Sequence, residues 1–324
     1  MHVLVTGGAG YLGAITAAAL IEHGHRVSVV DDLSNGHRDA VPDAATFHAV
    51  DLTDRATLEP IVAAGGFDAC LHFAAVAEAG VSMREPERFF RINTGGSAVL
   101  IDALVRHGVE RFVLSSTCAV YGEPERLPLE EDHPRAPTSP YGESKLAVER
   151  MLEWGARLRG LRVATLRYFN AAGASGGRGE RHRDETHLVP LLLAAAAGRA
   201  PALTIHGTDY PTPDGTAVRD YVHVADLADA HLAALDALGS HEDLTVNLGG
   251  GHGVSVAEMV TAAVSVLGRR VPTLEGPRRS GDPARLVAAT AHATELLGWR
   301  PTRSDPERIL TDAWAFHARD WGVG

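Results

Sequence analysis

A chain of 324 residues, 45% apolar and 22% charged, is long enough to bury about 75% of its unfolded surface, and this composition excludes a disordered, collagen-like or coiled-coil chain. Its 41 acids against 30 bases give a net charge of −11, which argues against a nucleic-acid binder. Length alone sets a prior of about two domains.

Residues 2–6 form an apolar run of the kind expected in a strand buried on both faces. Gly7, Gly8, Gly10 and Gly13 follow, then an Ala-rich helix over 15–22 that Gly24 stops. A second strand at 26–30 ends at Asp31-Asp32. Further strands are expected at 46–50, 69–73, 111–115 and 162–167, with helices over 87–106 and 141–159. This alternation argues for an α/β fold, a Rossmann-type doubly wound parallel sheet. The Gly- and charge-rich stretch 173–183 breaks the pattern. A dinucleotide-binding domain is therefore expected over 1–170 and a smaller mixed α/β substrate domain over 171–324, with 218–224 and 245–248 returning to the main sheet.

The longest lipid-like run, 188–197, contains Pro190 and is too short to span a bilayer. Met1 leads straight into a strand pattern, which argues against a leader peptide. Cys70 and Cys118 lie in apolar runs and make neither a disulfide framework nor a metal knuckle. A reducing, cytoplasmic setting without a metal is expected.

Gly7, Gly10 and Gly13 follow a strand and open a helix. Glycines there permit a tight turn, close approach of backbone to a pyrophosphate and close packing of helix on strand, while the helix N-terminus offers free N–H groups. Asp31, 18 residues past Gly13, ends the next strand, where a carboxylate binds both ribose hydroxyls and repels a 2′-phosphate; this favours NAD. Asp51 and Leu52 flank the adenine in this reading, although Asp51 suits a helix cap before Thr53 equally well.

The 30 basic residues comprise 29 Arg and a single Lys, Lys145. It follows Tyr141 by four positions, on one face of a helix that Ser139 caps and Pro140 opens. A tyrosine is a poor base at neutral pH, and a nearby ammonium and a nicotinamide cation both favour its phenolate. Taken alone the pair fits a solvated surface contact. A nucleotide-binding unit upstream and a hydroxyl run at a strand end, Ser115-Ser116-Thr117, turn it into a catalytic signature in which a hydroxyl of that run can hydrogen-bond the sugar oxygen that Tyr141 deprotonates.

With Thr6-Gly7-x-x-Gly10-x-x-Gly13 and Tyr141-x-x-x-Lys145, the chain resembles the extended short-chain dehydrogenase/reductase superfamily, and within it the UDP-glucose (UDP-galactose) 4-epimerases. The resemblance runs through His72-Phe73-Ala74-Ala75, Val120-Tyr121-Gly122, Leu166-Arg167-Tyr168-Phe169-Asn170, Thr186-His187-Leu188-Val189-Pro190 and Asp214-Gly215-Thr216. It continues through Val218-Arg219-Asp220-Tyr221-Val222-His223-Val224 and Arg278-Arg279-x-Gly281-Asp282. It implies that Tyr141, helped by Thr117, takes the proton of the sugar 4-hydroxyl while hydride passes to tightly held NAD and returns to the other face of a rotated 4-keto sugar. It places Tyr11, Leu12, Asp32, Asn35, Gly36, Phe73, Ala74, Ala75, Asn93, Ser115, Lys145 and Phe169 at the cofactor. Asn170, His187, Leu188, Thr204, His206, Arg219, Arg279 and Asp282 fall at the UDP-sugar, with the two arginines on the diphosphate and Asp282 on the uridine ribose.

The dehydratases of the superfamily carry an Asp-Glu pair where this chain has Cys118-Ala119, which disfavours elimination. The alternatives are a 4-epimerase of a modified UDP-sugar, such as UDP-glucuronate or a UDP-N-acetylhexosamine, and a non-catalytic NAD-binding protein. The resemblance also implies a homodimer formed through the helices over 87–106 and 141–159.

Overall fold

Six parallel strands, β1 (His2–Thr6), β2 (Arg26–Asp31), β3 (Thr46–Ala49), β4 (Ala69–His72), β5 (Arg111–Thr117) and β6 (Arg162–Tyr168), join a last strand, Asp243–Leu248, in the central sheet of the computed structural model. The structure describes residues 1–279 and 281–323. The spatial order is Asp243–Leu248, β6, β5, β4, β1, β2, β3, every pairing parallel. Strand order reverses between β1 and β4, so their C-terminal ends open the crevice in which doubly wound sheets bind ligands.

The near-continuous apolar runs follow from burial on both faces. Val3, Val5, Val27, Val29 and Leu71 pack with the helix Tyr11–Glu22 and the helix Val224–Ala237. Their alternates Leu4, Val30, Cys70, Phe112 and Leu114 pack with Leu58, Leu100, Leu104 and Leu152 on the opposite face. Each fully buried side chain of this size contributes about 1.5–3 kcal/mol. The helical run expected over 87–106 is interrupted: Pro86–Phe89 and Ser97–Arg106 flank a wide π-helical turn, Phe90–Gly96.

One expectation is corrected. Residues 218–224 do not join the seven-stranded sheet. Tyr221–His223 pairs in parallel with Asn170–Ala172, and Val218–Arg219 pairs with Val254–Ser255 and Arg285–Leu286. Arg219 and Asp220 interrupt the apolar run; both are buried, and they are satisfied by Asp282 and by the Gly250, Gly251 and Ala288 amides away from the central sheet. The chain rejoins the main core through Val222, Leu227, Leu235 and the strand Asp243–Leu248. A separate cluster around Leu192, Leu193, Met259, Ile309 and Leu310 packs the helices Leu188–Ala196, Val256–Leu267 and Pro306–Trp321 together. Among the described residues no helix is long and apolar enough to cross a membrane.

Candidate active site

The glycine turn between β1 and the helix Tyr11–Glu22 lies flush against the end of β4. Gly7 has φ +72°, and a Cβ there would lie 2.5 Å from the Ala74 nitrogen; one on Gly13 would lie 2.2 Å from the Gly7 carbonyl oxygen. No side chain is tolerated at either place. Gly10 caps the helix without any side-chain hydrogen bond, so the first-turn N–H groups of Tyr11, Leu12 and Gly13 are left for a ligand. A compact, uncapped cradle of this kind fits the pyrophosphate of NAD.

Asp31 ends β2 with its carboxylate buried, accepting from Ala9 N at 3.0 Å and Leu33 N at 2.8 Å. Burial raises its pKa, against those hydrogen bonds. A Cβ on Gly36 would lie 2.8 Å from the carboxylate, so the loop after β2 closes around it. Asp32 accepts from the Ser34 backbone and hydroxyl, and Asn35 reaches Glu78 at 3.4 Å. Asp51 accepts from Thr53 N and Oγ1, both at 2.8 Å, and forms a turn, while the helix Arg55–Gly65 is capped by Asp54. Leu52 is buried beside it. The Phe73 ring packs half-buried against the core, 4.6 Å from that of His231, with Ala74 and Ala75 half-buried beside it.

Asn93 sits in the π-helical turn and is buried. Its amide donates to the Val76 carbonyl and to Ser144 Oγ, both at 3.0 Å, and its oxygen accepts from Val76 N at 2.8 Å. It thereby locks the segment after β4 to the helix Pro140–Arg159. That helix begins as expected, with Ser139 as cap and Pro140 in the first turn. A Cβ on Gly142 would lie 2.5 Å from the Ala119 carbonyl oxygen, which lets the helix close on the end of β5.

Tyr141 and Thr117 meet there. Burial pushes the phenol up to about 12, and the nearby Thr117 hydroxyl opposes that rise. Lys145 lies one turn further on and is 3% exposed, with no hydrogen-bond partner among the described residues. Burial, opposed by the charge of Glu149, brings its ammonium down to about 8. A buried ammonium without a partner, one turn from the phenol, fits the ribose hydroxyls of a nicotinamide nucleotide. Ser115 is bonded to the Tyr168 hydroxyl, and Phe169 packs with Tyr121 and Leu146 behind the site. Cys118 is held neutral, its thiol pushed up to about 12 by burial.

Opposite, Arg219 is buried and its Nη2 lies 2.5 Å from Asp282 Oδ1, so two residues expected at different parts of the UDP-sugar are paired with each other. Arg279 is exposed nearby in sequence, and Asn170 is held by its backbone to Asp220 at 2.9 Å. Thr204 and His206 lie on the strand Leu203–His206, paired with Thr273–Gly276. His187 precedes the helix Leu188–Ala196 and bonds Glu180 and Glu185 through Nδ1, both at 2.8 Å.

Sequence reasoning missed Glu149. It is buried at the third helical position of the series 141, 145, 149, accepts from Ser116 Oγ and pairs bidentately with Arg167, at 3.0 Å to Nε and 2.7 Å to Nη2. Arg167 also donates to Tyr121 OH at 3.0 Å, which in turn donates to Asn247 at 2.6 Å. The i+4 spacing past Lys145 was the available signal.

The model of the NAD dependent epimerase/dehydratase family matches residues 3–249. The chain is 45% identical to a UDP-glucose 4-epimerase of Lacticaseibacillus casei, covering 98% of this chain and 97% of that one. It is 46% identical to a UDP-glucose 4-epimerase of Streptomyces lividans, covering 97% and 95%. The crystal structure of UDP-glucose 4-epimerase from Brucella ovis in complex with NAD superposes with a TM-score of 0.94, at 44% identity over 97% of this chain and 98% of that chain. With a cradle for the pyrophosphate, Thr117 close to Tyr141 and an unpartnered Lys145 at the switch point of the sheet, the chain belongs to the NAD dependent epimerase/dehydratase family, among relatives that are UDP-glucose 4-epimerases.

Proposed function

We propose that this chain interconverts UDP-galactose and UDP-glucose by inverting C4 of the sugar, using NAD that stays bound through the turnover. The observation that carries this reading is the buried Tyr141 phenol close to the Thr117 hydroxyl and one helical turn from the unpartnered Lys145, set against the glycine cradle at the β1/β4 crevice. When bound, NAD supplies a reversible acceptor for the hydrogen on C4. The protein's part is to move the proton of the 4-hydroxyl. Tyr141 as phenolate accepts it and later gives it back; the Lys145 ammonium favours that phenolate, and Thr117 hydrogen-bonds the tyrosine oxygen and orients it.

The Gly7–Gly13 turn, Asp31 and Lys145 hold the cofactor. Asn93 keeps the cofactor-side loop and the Tyr141 helix in one frame. Arg219 and Arg279 take the diphosphate, and Asp282, released from Arg219, takes the uridine ribose. The neutral Cys118 and apolar Ala119 offer neither acid nor base, so the keto sugar is returned and not dehydrated.

Trp154 and Leu158 are 59% and 68% exposed, four positions apart on the helix Pro140–Arg159, and this apolar stripe supports a homodimer packed helix to helix. The free Cys70 and Cys118 support a reducing, cytoplasmic setting.

The test is to incubate purified protein with UDP-galactose, without added nicotinamide, and to quantify UDP-glucose by NMR. Product is expected. Absence of product even with NAD supplied overturns the reading; turnover of a modified UDP-sugar alone would replace its substrate.

A further inference from the structure

The segment Glu180-Arg181-His182-Arg183-Asp184-Glu185-Thr186-His187 brings two carboxylates and two imidazoles to one point beside the cofactor crevice. One ligand atom from each of Glu180, His182, Glu185 and His187 lies within 4.8 Å of all the others. Glu180 lies 3.1 Å from His182 Nδ1 and 2.8 Å from His187 Nδ1; Glu185 lies 2.8 Å from His187 Nδ1 and 3.8 Å from His182 Nδ1. Four ligands about 2.0–2.1 Å from a tetrahedral zinc ion stand about 3.3 Å apart, and these separations bracket that edge.

The cluster is built into the fold. Glu180 is 5% exposed, and neither it nor Glu185 has an Arg or Lys partner among the described residues. The intervening Arg181 is spent on Asp39 at 2.7 Å. His182 Nδ1 is buried without a hydrogen-bond partner of good geometry. The segment is pinned to the cofactor half through His37 Nε2, 2.7 Å from the Arg181 carbonyl, and the stretch leading into it by Tyr11 OH, which donates to the Gly173 carbonyl at 2.6 Å, and Arg178 Nε, which donates to the Ala40 carbonyl at 2.7 Å. Tyr11 and His317 lie close enough to feel the charge of Glu180 and Glu185.

We infer that Glu180, His182, Glu185 and His187 form a binding site for a divalent transition-metal ion of the zinc type. Imidazole nitrogen with carboxylate oxygen in fourfold array suits zinc and its cobalt substitute, not magnesium, which demands octahedral oxygen. All four ligands come from one short segment, so little loop-closure entropy opposes assembly. The ion is structural: protein ligands fill its four positions, leaving none for a reacting atom. It neutralises two carboxylates that have only histidines for company. It also binds both imidazoles through Nδ1, which leaves Nε2–H of His187 as a fixed donor at the start of the helix Leu188–Ala196.

The test uses the full, untagged chain. Protein is dialysed against Zn2+, then against metal-free buffer, and retained metal is measured by mass spectrometry. A parallel sample is loaded with Co2+ and its visible spectrum recorded. Retention of a single Zn2+ per chain, strong tetrahedral Co2+ bands, and an affinity at least about 10-fold weaker in Glu180→Gln and in His182→Gln are expected. Zinc-edge X-ray absorption of the wild type should show two imidazole nitrogens and two oxygens, and this holds the assignment open to refutation even where a variant does not fold. No retained ion in the wild type, retention shared by both variants, or a sulfur ligand overturns the proposal.

Discussion

Glu149 and Arg167 form a bidentate ion pair, 2.7 Å at its closest, buried directly behind the Tyr141 and Lys145 face of one helix. The pair takes its remaining bonds from Ser116 and Tyr121 at the ends of neighbouring elements. It holds the helix Pro140–Arg159 to β5 and β6, and the carboxylate adds negative charge under Lys145.

Breaking that pair from one side is therefore costly. Glu149→Leu leaves the Arg167 guanidinium buried and uncompensated, and should lower stability by about 3–5 kcal/mol in urea unfolding. Glu149→Leu combined with Arg167→Met should recover most of that loss. Additive losses in the double variant would show that the two side chains act independently.

The single lysine sets an alkaline limit. Its buried ammonium has a pKa lowered to about 8, so the charge that favours the Tyr141 phenolate is present below that pH and lost above it. Turnover and NAD retention should both fall as pH rises through about 8. In Lys145→Arg, whose charge persists at all working pH, residual activity should show no such limb. An alkaline limb unchanged in Lys145→Arg would assign it to another group.

Tyr141→Phe removes the proton acceptor and should lower kcat by about 100- to 10,000-fold, with bound NAD retained. Thr117→Val removes the hydroxyl beside that oxygen, a group able to give the reacting oxygens about 1–3 kcal/mol of hydrogen bonding, and should cost about 10- to 100-fold. Steady-state rates on UDP-galactose check both. A larger loss in Thr117→Val than in Tyr141→Phe would reverse their roles.

Gly13→Ala places a methyl 2.2 Å from the Gly7 carbonyl, which only a shift of the turn relieves. Purified variant should carry little NAD, read as the nucleotide released on acid precipitation, while circular dichroism stays close to the wild type. Full NAD content would show that the turn yields without affecting the cradle.

The sheet was legible because its strands are apolar on both faces and separated by helices with recognisable caps; Ser139 and Pro140 start their helix where expected. The glycine turn and the pairing of Tyr141 with Lys145 were legible because each is local in the chain. What escaped depends on contacts far apart in sequence. Arg219 meets Asp282 across 63 positions, and Ser116 meets Glu149 across 33, with no local periodicity to announce either. The segment 218–224 looked like a core strand from Val218, Tyr221, Val222 and Val224; it is buried, but Arg219 and Asp220 take polar partners far away in sequence that keep it out of the central sheet. His187 looked like a substrate contact alone because its partners Glu180 and Glu185 matter only once the backbone turns them inward.

The clamp that Asn93 makes on Ser144 and Val76 also constrains how a stereocentre can be inverted. With the helix that carries Tyr141 fastened at Ser144 by Asn93 and at Glu149 by Arg167 and Ser116, the proton acceptor has no freedom to follow a sugar from one face to the other. Handedness must then be scrambled by the substrate, tumbling on its flexible diphosphate tether above a stationary floor. Tight anchoring of the uridine end and loose grip on the hexose end become two halves of one requirement, and a pocket that gripped the hexose firmly would make a poorer catalyst.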